Sequence, residues 1–308
     1  MTVPHESFRI FMNSILDYAG LYPPASLPLE EAFQNFIDYQ SSPEAWMLSR
    51  FIIPAKRLSE LPVFTKNLSF SALGRGGKDA DEFLSHVNLD ISDINLFCES
   101  HPTGIVDMFE VALPAAALAD KFTANDLVNR AADALNKNGI TVFFEAPFGD
   151  GWQTRAEKLI RALRKVKDKH VGFKLRTGGV TADAFPSIEQ VAWVIVETRE
   201  AGIPLKCTAG LHHPVRHFNQ SVNTKMHGFL NVFGAGVLAF TEQLSASQVK
   251  AILAEEDPSS FVFGEHGFAW KDVSVSASEI QEARPFVTSF GSCSFDEPRE
   301  DLRSLGML

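Results

Sequence analysis

The 308-residue chain predicts an α/β fold, specifically a (β/α)8 TIM barrel, and three observations carry that prediction. Short runs rich in Val, Ile, Phe and Leu alternate with longer segments of helical period, and the alternation repeats eight times. No glycine-rich turn follows the first run, where the chain reads YPPASLP, which disfavours the competing open, doubly wound sheet. The length suits one barrel of about 250 residues with additions. The reading is a single domain over 1–308 with a C-terminal extension from about residue 285.

The eight strand candidates are ILDYAGL (15–21), LSRFIIP (48–54), LSFSALG (68–74), GIVDMFEVAL (104–113), ITVFFEAP (140–147), VGFKLRTGG (171–179), PLKCTAG (204–210) and FVFGEHG (261–267). Each is rich in β-branched, aromatic or leucine residues, and six of the eight end in Gly or Pro, as buried parallel strands do. Between them lie PLEEAFQNFIDYQ, DADEFLSHV, TANDLVNRAADALNKNG, QTRAEKLIRALRKVKD, SIEQVAWVIVETREAG and SASQVKAILAEE. Helix signals include a Thr123/Asp126 capping pair with Gly139 as stop, and Ser187 as cap with Gly202 as stop.

Alternation within the sixth strand puts Val171, Phe173 and Leu175 toward the helices and Lys174 and Arg176 toward the barrel axis, near the C-terminal mouth. The seventh strand repeats this with Lys206 and Thr208 inward. Two inward lysines on adjacent strands require an explanation, because a buried ammonium loses hydration worth several kcal/mol. Mutual repulsion and desolvation would depress their pKa and make a nucleophile that forms a Schiff base with a carbonyl. The alternatives are a structural ion network with Asp107 and Glu145, or an anion-binding pair that does not react.

The first strand, Leu16-Asp17-Tyr18-Ala19-Gly20-Leu21-Tyr22-Pro23, resembles the I-D-x-T-x-L-x-P of deoxyribose-phosphate aldolase and its class I aldolase relatives. Phe51-Ile52-Ile53-Pro54, Val106-Asp107-Met108 and Phe143-Phe144-Glu145 are similar to that family's second, fourth and fifth strands. Phe173-Lys174 with Thr177-Gly178, and Leu205-Lys206-Cys207-Thr208-Ala209-Gly210, resemble its two lysine strands. The resemblance implies a Schiff base at Lys174, a perturbing lysine at Lys206 and proton relay at Asp107, with Glu145 as second candidate. It implies a lyase needing no cofactor. It departs at Ala19, Ala209, His212 and the Gly264-Glu265-His266-Gly267 loop, where the family carries Thr, Gly, Arg and a serine-bearing phosphate loop. The chemistry therefore carries over more readily than the substrate. Substrate contacts are expected from Arg176, Asp17, Thr208, Gly178, Gly179, His212, His213 and His266, with the Arg176 fork suited to a carboxylate or phosphate. Arg176 serves equally well as a partner for Glu145.

Two rival readings stand beside this one. Glu145, His212, His213 and His266 could ligate a divalent metal for a lyase, isomerase or hydrolase, although adjacent histidines point their rings apart. A non-catalytic barrel binding an anionic metabolite is the other. The long Pro214–Gly228 segment is read as a substrate lid or a subunit contact, and a homo-oligomer is left open. The Gly74-Arg75-Gly76-Gly77-Lys78 run lacks Walker spacing and reads as a flexible loop.

Composition narrows the partners. With 28 basic and 38 acidic residues the net charge is −10, contrary to a nucleic-acid binder. The most apolar stretch, Phe229–Phe240, is shorter than the ~20 residues that span a bilayer. Three cysteines, no C-x-x-C pair and no basic-then-apolar leader make a reducing cytoplasm the expected location.

Overall fold

The computed structural model describes residues 4–308, apart from the side chains of residues 121 and 122. Its centre is a closed barrel of eight parallel strands: β1 (Leu16–Tyr18), β2 (Leu48–Pro54), β3 (Leu68–Leu73), β4 (Gly104–Ala112), β5 (Thr141–Glu145), β6 (Val171–Arg176), β7 (Leu205–Thr208) and a closing strand, Val287–Ser292. The predicted fold class is observed. Two small antiparallel pieces intervene before closure: a hairpin of β8 (His217–Asn219) and β9 (Thr224–Met226), and a meander of β10 (Phe261–Gly264), β11 (Gly267–Trp270) and β12 (Val273–Ser276). The closing strand is therefore β13, hydrogen-bonded to β7 on one side and β1 on the other.

The eighth strand is thus not the FVFGEHG run. Phe263 and Phe268 of that run's meander pack edge-on and tilted against Phe8 and Phe11 of α1 (Glu6–Met12), outside the barrel. The segment expected as an extension from about 285 instead supplies barrel wall. Its inward side is small, with Ser289 and Gly291, because the axis at that point is occupied by buried side chains from β1 and β7.

Helices follow the strands as expected, with shifted ends. These are α2 (Leu29–Tyr39), α3 (Ala80–Ser100), α4 (Lys121–Asn136), α5 (Trp152–Lys165), α6 (Ile188–Ala201), α7 (Phe229–Glu242), α8 (Ala246–Ala254), α9 (Ala277–Ala283) and α10 (Asp296–Ser304). Ser187 caps α6 in a reciprocal box with Gln190, and Gly202 ends it at φ 66°. The α4 cap is Asp120, which accepts from the Thr123 amide and hydroxyl at 2.8 Å, so the expected Thr123/Asp126 pair lies one turn too late. The apolar 229–240 run is α7, buried almost all round; a Cβ at Gly236 would sit 2.9 Å from Val287, so small residues seat this helix directly on β13. Among the described residues no helix is long and apolar enough to cross a membrane. The Gly74–Lys78 run is tied down, with Arg75 paired to Asp90 and Asp93 of α3.

One irregularity decides the site. Phe70 faces Val106 and Ser71 faces Met108, so β4 carries a bulge that skips Asp107. Residues beyond it, Glu110 above all, take an inward parity that a regular count from Asp107 would not assign.

Candidate active site

At the C-terminal mouth a cavity of about 410 Å³ is lined by Tyr22, Glu110, Glu145, Lys174, Arg176 and Thr208, with Gly179, His212 and Cys293 at its edge. Sheet register builds it: Glu145 pairs with Lys174, Lys174 with Lys206, and Arg176 with Thr208 across β5, β6 and β7. Equal strand phase thus delivers these side chains to one level of the barrel.

Lys174 is 5% exposed and sits between two carboxylates, its Nζ 2.9 Å from Glu110 Oε2 and 3.2 Å from Glu145 Oε2. Lys206 is fully buried and does not line the cavity. Its ammonium pairs with Asp17, lies 3.5 Å from Glu110 Oε1 and donates to Ser289 Oγ at 3.1 Å. Glu110 consequently stands between the two lysines and also accepts from Ser71 Oγ at 2.6 Å. Burial alone would raise its carboxyl, but Lys174 and Lys206 outweigh burial and hold it at about 2. Lys174 moves opposite to the sequence expectation. Burial would lower its pKa, yet the Glu110 and Glu145 charges dominate and raise it. The lysines are separated by an acid, so their mutual repulsion is not the controlling influence.

Arg176 answers both of its readings. Nε donates to Glu145 Oε1 at 3.3 Å, while the side chain remains 41% exposed in the mouth, its two terminal nitrogens without a hydrogen bond among the described residues. Beside it the backbone is built for close approach: a Cβ at Gly178 would lie 2.9 Å from the Gly210 Cα, and Gly210 adopts φ 74°. His212 lies 3.3 Å from Glu297 and 3.8 Å from the Cys293 sulfur. Burial would lower this imidazole, but those two contacts outweigh it and lift it to about 9.

Four expected site residues lie elsewhere. Asp107 forms a two-pronged ion pair with Arg50 (2.6 and 2.8 Å) and lines a separate cavity of about 780 Å³ at the N-terminal end, because the bulge leaves it three residues short of the mouth. Asp17 is fully buried beneath Lys206, held also by Ser289 and the Arg50 amide, and supports that lysine instead of meeting a substrate. His213 turns toward α10, where its Nδ1 lies 2.6 Å from Asp301. His266 occupies the exposed β10–β11 turn. The metal set of Glu145, His212, His213 and His266 is therefore not assembled, and among the described residues no group of three or more His, Cys, Asp or Glu is placed to hold a metal ion. The 214–228 segment supplies no lining residue to the Lys174 cavity; its hairpin and His213 line another groove beside α10.

Two residues of the site lie outside the sequence expectation. Glu110 is three positions past Asp107 of the I-D-M resemblance, and only the bulge reveals its direction. Tyr22, inside the first quoted motif, lines the cavity with a buried hydroxyl that has no hydrogen-bond partner among the described residues.

No family model matches the chain, and no curated protein matches it. Among solved structures it is similar to the deoxyribose phosphate aldolase from Aeropyrum pernix, described as a unique tetrameric structure, at 12% identity and TM-score 0.49. The similarity covers 96% of this chain and 93% of that one.

Proposed function

We propose that the chain is a class I, Schiff-base aldolase or lyase acting on a small anionic carbonyl compound. The observation that supports it most is the Lys174 amine, buried at the floor of the mouth cavity with a carboxylate on either side. Lys174 Nζ attacks the carbonyl carbon, water leaves, and the resulting iminium serves as electron sink while a carbon-carbon bond forms or breaks.

Attack requires the neutral amine, and Lys174 begins as an ammonium. Glu110 is a poor proton acceptor, since two lysines keep it strongly acidic. Glu145 is the better placed base, 3.2 Å from Nζ at the cavity rim. It replaces Asp107, which faces the other end. Glu145 also shares Arg176, so an anionic substrate drawn to the free side of that guanidinium competes with Glu145 for the cation. Substrate binding at Arg176 then loosens that pairing and leaves Glu145 to Lys174, so the contact between base and amine is tied to occupancy of the site.

The raised pKa of Lys174 favours a second reading, an anion-binding barrel in which the ammonium never reacts. One experiment separates the two. The protein is incubated with glyoxylate or propanal, reduced with borohydride and mapped by peptide mass spectrometry. The aldolase reading expects an adduct on Lys174 that is lost in Lys174→Met. No adduct across a wider metabolite pool, with anions still bound, leaves the binding reading standing in its place.

A further inference from the structure

The cavity around Lys174 holds more polar groups than its ion pairs use, and Tyr22 is the one whose chemistry is unaccounted for. Tyr22 follows β1 on the loop that rises over the mouth, and its ring lines the same cavity as Glu110 and Lys174. Its hydroxyl oxygen is shielded from solvent yet makes no hydrogen bond among the described residues. A buried, unmatched hydroxyl is unfavourable, and it persists in folded proteins where a ligand or an ordered water completes it.

A carbonyl under attack by an amine accumulates negative charge on its oxygen, and donors already aimed at that oxygen lower the barrier. Glu110, held acidic by the two lysines, only accepts, and Glu145 is engaged with Lys174 and Arg176. Arg176 and Thr208 are register partners on β6 and β7, next to the Gly178–Gly210 backbone approach, and together they suit the anionic end of a substrate. Building on the Schiff-base reading, we infer that the Tyr22 hydroxyl is a hydrogen-bond donor to the oxygen of the carbonyl that Lys174 attacks. It touches the reacting atoms and passes no proton to them. Burial, and secondarily the Glu110 charge, push the phenol above its usual range, which keeps it a donor throughout neutral and mildly alkaline pH.

The test is the rate of borohydride-trapped adduct at Lys174 with propanal and with glyoxylate, for the intact chain and for Tyr22→Phe, from pH 6 to 10. The inference expects adduct formation about 10²-fold slower in Tyr22→Phe with both probes, the loss typical of a single oxyanion donor. It also expects no alkaline limb in the wild-type profile that disappears in the variant. Thermal unfolding guards against a folding defect: removing an unpartnered hydroxyl should leave Tm unchanged or higher. Equal trapping rates in the two proteins overturn the inference and leave the Schiff base standing. An alkaline limb lost with the hydroxyl overturns it in favour of proton transfer. A lowered Tm that parallels the slower trapping assigns Tyr22 a structural role. Absence of any wild-type adduct on Lys174 removes the Schiff-base reading and this inference with it.

Discussion

The two ends of the barrel hold similar materials arranged to different purposes. At the N-terminal end Arg50 clasps Asp107, and Arg284 donates to the Val287, Thr288 and Asn13 carbonyls, tying β13 to the chain before β1. Most of its strong groups are spent on each other and on backbone, although the buried Arg284 Nε has no partner among the described residues. At the C-terminal end the acids and bases are packed as tightly but less completely. Among the described residues the two terminal nitrogens of Arg176 and the hydroxyl of Tyr22 have no partner, and Lys174 opens onto the cavity. Unspent hydrogen-bonding capacity gathered around a buried amine, and not charge or cavity size, sets the C-terminal mouth apart, the end at which barrels usually carry their sites.

Three substitutions sharpen that contrast. The largest effect is expected from Glu110→Gln, which leaves two buried lysines short of their shared acid and should cost about 3–5 kcal/mol. Glu110 has a folded pKa of about 2, below its unfolded value near 4.5. Its stabilisation is therefore complete above the unfolded value and is lost as pH falls through the folded one. Urea titrations between pH 7 and pH 2 should show a wild-type decline that is much flatter in the variant. Parallel curves would mean that Glu110 is not the acid that links the lysines.

Arg176→Lys comes next. It keeps the charge and loses the fork, so capture of glyoxylate by Lys174 should weaken about 10-fold while capture of propanal is little changed. Equal losses with both probes would place Arg176 among the supports of the site instead of at its anion end. The smallest effect belongs to Asp107→Asn. That carboxylate is one-third exposed, and Arg50 retains Asp17 at 3.6 Å, so chemical denaturation should register about 1 kcal/mol or less. Trapping at Lys174 should stay within about twofold of wild type. A large loss of reactivity would restore Asp107 to the chemistry and erase the distinction between the ends.

Much of this was legible in the chain. Alternation in VGFKLR and PLKCTAG aims Lys174, Arg176, Lys206 and Thr208 inward, and the register keeps them level. The closing strand was hidden because VTSFGS is weakly apolar, its inward positions kept small around Lys206 and Asp17. FVFGEHG has the stronger strand composition, but it spends Phe263 on α1. Glu110 was hidden by a single bulged residue, which reverses the facing of everything after it and leaves no mark in hydrophobic pattern. The histidines misled because position on a loop says nothing about direction. His212 and His213 are neighbours in sequence, yet one turns to Glu297 and the other to Asp301.

The late position of β13 has a temporal consequence. Between Thr208, where β7 ends, and Val287 lie 78 residues of hairpin, helices and meander. At a translation rate of ~5–20 residues per second, the first seven strands wait roughly 4–16 s on the ribosome before their closing partner is made. Through that interval β1 and β7 present unpaired edges, and Lys206 lacks the Ser289 hydroxyl that completes its cage. The nascent chain is then a curved open sheet whose two rims invite strand addition, the period when a holdase chaperone has most to protect.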